Sequence, residues 1–187
     1  MTEKSPWFIR LAARQEWLAY GNVALGVIWL GVAVQAFRYL PERIPMHFVP
    51  EGSPTRWEPA SIWRWLILPL VGVAIALFLP TIERVHLAIN RPYRILPPDP
   101  GIAAALTRLR RAYLDLCVTH LFVALGSLHA GMWVVATGER ATLPPVVLGV
   151  AFGAMLSVLA LIVPLHRAGA YLRGAGAHRA DAVLGAT

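Results

Sequence analysis

The sequence predicts an all-α integral membrane protein. It would have four transmembrane helices, both termini cytoplasmic, an extracytoplasmic hairpin cap between helices 1 and 2, and a short N-terminal interfacial helix. Three observations carry this. Of 187 residues, 57% are apolar and 14% charged, with a mean hydropathy of +0.58; a soluble domain carries roughly 45–50% apolar and about 25% charged residues. Four apolar runs reach the ~20 residues that a helix rising ~1.5 Å per residue needs to cross ~30 Å of hydrocarbon. The positive charge, finally, collects on alternate connections between those runs.

The spans fall at 17–37, 62–82, 112–137 and 143–165. Pro69 and Pro164 interrupt two of them and mark kinks, which spanning helices tolerate where neighbours or water satisfy the freed carbonyls. The segment 83–111 holds Arg84, Arg91, Arg94, Arg108, Arg110 and Arg111 against Glu83 and Asp99, and reads as a cytoplasmic linker broken by prolines around 90–101. The tail, 166–187, adds Arg167, Arg173 and Arg179 and reads as flexible; the N-terminus adds Lys4, Arg10 and Arg14. The loop at 38–61 instead balances Arg38, Arg43 and Arg56 with Glu42, Glu51 and Glu58, and so faces outward.

Val34-Gln35-Ala36 loosely resembles a signal-peptide cleavage site, but the apolar run is too long for such a peptide, so the first span reads as retained. Ahead of it, Ser5 caps and Pro6 opens a helix over 5–16 whose Trp7, Phe8 and Leu11 recur at helical spacing. That suits a helix lying in the inner interface, the alternative being a continuation of the first span. The net charge of +7 comes from sixteen arginines and Lys4 against ten carboxylates. Because these arginines sit between hydrophobic runs, their role is topological, and no nucleic-acid partner is expected. The one cysteine, Cys117, excludes an intrachain disulfide and any multi-cysteine metal cluster.

Prolines 41 and 45 push their predecessors toward extended backbone. Residues 44–49 therefore read as a strand, 50–53 as a turn and 54–57 as a return strand, with Met46 and Phe48 on one face and His47 on the other. Trp57, Trp63 and Trp65 beside Arg64 mark the outer interface, where amphipathic rings settle. Leu-Pro-x-x-Ile-Pro-x-His-Phe from Leu40, then Gly52, Pro54, Arg56 and Trp57, follows directly on a hydrophobic span. Over about residues 17–90 this resembles the domain of unknown function at the N-terminus of SdpI-type immunity proteins. The resemblance implies a bacterial inner-membrane protein whose outward loop meets an extracytoplasmic peptide or protein, with Pro41, Ile44, Pro45, His47, Phe48, Gly52, Arg56 and Trp57 as the matching positions. SdpI-type proteins typically have more spans than four. For His47, a ring pinning the hairpin to the bundle stands beside a partner contact; a metal role lacks a second histidine in the loop.

Ionisable groups within spans are candidates for function because their burial is costly. Glu83, His86 and Asn90 share one helical face, and Asp115 and His120 open the third span near the same membrane surface, where the two sets could meet. A single Glu-x-x-His copy falls short of the two that a di-iron bundle needs, so neither a metal nor another cofactor is expected. On span three, Asp115, Thr119, Phe122, Gly126, His129 and Trp133 share one face, and His120, Ala124, Ser127 and Gly131 the other. A span with polar groups on opposite faces suits a central helix or one covered by a partner subunit. Gly149, Gly153 and Ser157 form a small-residue stripe that packs either within the chain or in a homodimer or larger complex.

No nucleotide loop, nucleophile elbow or zinc-protease motif is present. The expected function is non-enzymatic: binding, immunity or signalling through the outward loop, with membrane lipid around the helices and an extracytoplasmic peptide or another membrane protein as partner. The alternatives are an accessory subunit of a respiratory, photosynthetic or transport complex, and a small transporter or proton relay using Glu83, His86, Asp115 and His120.

Overall fold

The structure, a computed structural model, describes residues 15–89 and 100–160 together with positions 163, 167 and 170. It is mostly helical. Helix α1 runs Gln15–Ala36 and closes in a tight 3-10 turn, Phe37–Tyr39. Strands β1 (Arg43–Phe48) and β2 (Pro54–Pro59) follow, then a four-residue helix α2 (Ile62–Trp65) and α3 (Ile67–Ile89). Helix α4 spans Pro100–Ala136, and α5 covers Pro145–Ala160. Among the described residues, the helices within Glu16–Tyr39 and Ala103–Ala136 are long and apolar enough to cross a membrane; Ile67–Leu79 and Pro145–Ala160 are shorter apolar helices.

The interruption between α2 and α3 has a local cause. Ser61 accepts from Arg64 N–H and caps α2. Pro69, four residues beyond Trp65, has no N–H to give the Trp65 carbonyl, and its ring crowds that carbonyl. The chain therefore bends at Leu66 and resumes with Leu70 N–H on the Leu66 carbonyl at 2.9 Å. The expected kink is thus present one turn ahead of the proline. Pro164 and residues 5–14 lie outside the described residues.

The segment expected as a linker, 83–111, is helical at both ends. Helix α3 continues to Ile89, and α4 begins at Pro100, twelve residues before the expected 112. Pro100 is harmless in a first helical turn, and the alanines, leucines and arginines that follow favour helix. Leu109 and Ala112, three residues apart, are both buried, so this added part of α4 packs against the molecule through one face.

The hairpin sits where the sequence places it, its return strand running two residues further, to Pro59. Arg43 pairs with Pro59 and Pro45 with Trp57; Met46 on β1 and Thr55 on β2 are then each bulged out, which restores the register by Phe48–Pro54. The base closes through Ala60 N–H on the Glu42 carbonyl at 2.7 Å. At the tip, Gly52 takes φ +84°, a left-handed conformation that favours glycine.

Helix α4 is central. At the hairpin end, Ala33 of α1, Ile44 of β1, Trp65, Leu66, and Met132 and Ala136 of α4 form one buried cluster. Trp65 Nε1 donates to the Ala33 carbonyl at 2.8 Å, taking up one of the orphan acceptors that end α1. On the opposite side of α4, Ala124 packs with Ala151 and Ala154 of α5. Backbones approach closely in two places: a Cβ at Gly72 would lie 2.8 Å from the Trp29 ring, and one at Gly131 would lie 2.8 Å from Leu143.

Candidate functional site

The hairpin divides into an anchored and an open face. Ile44 has no exposed surface and Pro45 is as deeply buried, while Met46 and Phe48 pack against the cluster beneath them. The turn is held as well: Leu143 N–H, in the α4–α5 connection, donates to the Gly52 carbonyl at 2.9 Å, and a Cβ at Gly52 would lie 3.1 Å from Leu143. Phe48 and Gly52, expected as partner contacts, are therefore spent on docking the cap. The open face keeps His47, Arg56 and Trp57.

That face is internally braced. Glu58, largely buried as a side chain, pairs with both Arg56 and Arg64. Arg43 Nη2 donates to the Trp57 carbonyl at 2.8 Å, and Arg64 Nη1 to the Pro59 carbonyl at 2.9 Å. Exposed ion pairs contribute only about 0–1 kcal/mol each, so this network orients the strand more than it stabilises the fold. Trp57 and Trp63 are exposed, as interface rings should be, but Trp65 is 2% exposed and belongs to the core. The bend at Leu66 turns it inward, which tryptophan spacing along a chain does not reveal.

The polar residues of α4 separate onto two faces. Toward α1, Asn22 Nδ2 donates to the Asp115 backbone carbonyl at 2.7 Å, and Thr119 Oγ1 donates to Asn22 Oδ1 at 2.8 Å. Asn22 is 7% exposed and interrupts an otherwise apolar run; that interruption was its signal in the sequence, and it was missed. Asn22 and Asp115 lie at one end of an apolar groove of about 440 Å³ between α1, α3 and α4.

Further along the same face, His129 is 5% exposed. Trp29 Nε1 donates to its Nδ1 at 3.1 Å, and the Trp65 ring lies over it with centroids 3.9 Å apart. Since Nδ1 accepts, a neutral ring carries its proton on Nε2. Nε2 is buried and makes no hydrogen bond among the described residues. Trp29 and Trp65 were not singled out with His129 from the sequence, because they arrive from two other helices.

His120 lies on the other face. Its Nδ1 is 2.6 Å from the Leu116 carbonyl, and the ring borders a groove of about 470 Å³ between α3, α4 and α5. Asp115 and His120 therefore line different cavities and do not form one site. Both expected partners on α3, Glu83 and His86, have side chains outside the described residues. Among the described residues, Gly149 and Gly153 have no neighbour within 4 Å of a Cβ; Ser157 turns its hydroxyl to the Ala154 carbonyl at 2.7 Å. Among the described residues, no three of histidine, cysteine, aspartate or glutamate come together as metal ligands would.

Comparison with protein-family models, with curated proteins and with solved structures finds no match to the chain.

Proposed function

We propose that this chain is a four-span protein of a bacterial cytoplasmic membrane, with both termini cytoplasmic, that binds an extracytoplasmic peptide or protein through its hairpin and catalyses no reaction. The observation that carries the reading is the two-faced hairpin: Ile44, Pro45 and Gly52 clamp it to the bundle, while His47, Arg56 and Trp57 remain open. A loop fixed this firmly is a preorganised surface, and ordering it costs a partner little. The free edge of β2 and the Trp57 ring suit an extended peptide added alongside the strand.

The membrane reading is supported by α1, where Trp17, Tyr20, Val27, Ile28 and Val32 are all exposed; water would not tolerate so broad an apolar face on a monomer. The orientation is supported by α4, which carries Arg108, Arg110 and Arg111 near one end and reaches the hairpin at the other, ~37 Å away along the axis. The resemblance of residues 40–57 to SdpI-type proteins points the same way. A second reading, an accessory subunit of a larger membrane complex or a homodimer, is favoured by Gly149 and Gly153 on α5, which no described residue covers.

Two measurements test the proposal. A cysteine placed at Glu51 in a Cys117→Ser background should react with a membrane-impermeant maleimide added to intact cells; labelling from the cytoplasmic side alone would reverse the topology. A photo-crosslinking residue at position 47 should give an adduct that is lost on alanine substitution of Arg56 and Trp57. Retention of every adduct in that correctly folded variant would sink the hairpin reading and leave the subunit reading.

A further inference from the structure

We propose that the groove between α3, α4 and α5 is a binding site for a lipid-soluble phenol or hydroquinone, held by its hydroxyl on Nε2 of His120. The groove has a volume of about 470 Å³, within the range of small-molecule sites, and its walls are apolar, Ile75, Leu79, Phe152 and Met155 among them. Among the described residues its polar side chains are Cys117 and His120, three residues apart on one face of α4.

The chemistry of the occupant follows from the tautomer. A backbone carbonyl only accepts, so the 2.6 Å approach of Nδ1 to the Leu116 carbonyl places the ring proton on Nδ1. Nε2 of the neutral ring is then a bare acceptor, with no partner among the described residues. The groove thus asks for an apolar body carrying one donor. A phospholipid acyl chain has no donor and would leave Nε2 unpaired in hydrocarbon, whereas a phenolic O–H satisfies it. A flat ring also suits the Phe152 side chain in the wall, since aromatic pairs gain beyond the area they bury. Asp115 does not compete, because it borders the separate groove against α1.

The site rests on the bilayer reading and is independent of what the hairpin binds. The test uses the full chain in phosphatidylcholine nanodiscs, with a decyl-substituted hydroquinone as probe and its dimethyl ether, which cannot donate, as control. Nitrogen NMR of histidine-labelled protein should show the His120 Nε2 resonance moving toward that of a hydrogen-bonded acceptor with the hydroquinone and staying in place with the ether. His120→Phe should weaken hydroquinone binding roughly fivefold to tenfold, and His120→Gln, which keeps an acceptor, should weaken it less. Cys117 supplies the second readout: the hydroquinone should slow its labelling by a lipid-soluble maleimide, and the ether should not. Equal binding of the two probes, or unchanged binding to His120→Phe, would overturn the proposal and leave the groove to acyl chains. If an impermeant maleimide labels Cys117 as fast as the lipid-soluble one does, the bilayer reading itself has failed.

Discussion

Helix α4 meets α1 and α5 by two different kinds of contact. Against α1 it uses large and polar groups: the Trp29 ring edge-on to Phe122 at 6.0 Å between centroids, the Asn22–Thr119 hydrogen bond, and the His129 ring between Trp29 and Trp65. Against α5 it uses mostly small ones, Ala124 facing Ala151 and Ala154, with Gly131 beneath Val147. In the bilayer proposed for this chain the hydrophobic effect would not distinguish helix from lipid, so association would rest on close packing and interhelical hydrogen bonds. The first interface is specified by directional groups that fit in one arrangement. The second rests mainly on close approach, with one long hydrogen bond from the Tyr113 hydroxyl to the Val158 carbonyl at 3.5 Å. The hairpin joins the two, because β1 rests on the Trp65 cluster while the turn is tied to Leu143 at the start of the α5 connection.

The largest expected effect lies at that junction. Trp65→Ala removes the ring stacked on His129, the hydrogen bond to the Ala33 carbonyl and the floor beneath Ile44. Emptying a fully buried aromatic site costs about 3–5 kcal/mol, a fall of ~6–20 °C in unfolding midpoint for a chain of this size. Thermal unfolding in detergent measures it, and proteolysis at 49–53 should rise in parallel as the cap loosens. A midpoint within two degrees of the parent, or about that, would show that the cluster does not support the bundle.

Gly131→Val tests the other interface. The added carbons would meet Leu143 and Val147, which a Cβ alone would approach to 2.8 and 2.9 Å. Both neighbours are side-chain ends and can shift, so the cost should be the ~1–3 kcal/mol typical of overpacking. Displacing Leu143 also disturbs its bond to Gly52, so the hairpin turn should become protease-sensitive although the substitution lies on α4. Destabilisation without that sensitivity would mean that the turn is held by β1 alone.

What could be read from residues alone follows the same division. The hairpin was legible because Pro41, Pro45 and Gly52 constrain the backbone locally, and the two faces of α4 because helical periodicity is local as well. The helical turns ahead of the third span were not legible because the prolines through 97–100 mask a helix that tolerates one of them in its first turn. The inward turn of Trp65 and the docking role of Phe48 were not legible. Each depends on where a second element lies, which no spacing along one segment encodes.

The smallest of these effects is also the cleanest measure of the directional interface. Asn22→Leu keeps the branched skeleton but removes the donor to the Asp115 carbonyl and the acceptor for Thr119. Neither partner is stranded by the change, since Thr119 Oγ1 also reaches the Asp115 carbonyl at 3.0 Å within α4. The cost should therefore stay near the ~0.6 kcal/mol average for hydrogen bonds between membrane helices and below the ~1.7 kcal/mol maximum. A double-mutant cycle with Thr119→Val isolates the pair and should return a coupling of similar size. A coupling near zero would mean that the α1–α4 contact is set by Trp29 and Phe122 packing, and that both faces of α4 obey the same distance rule.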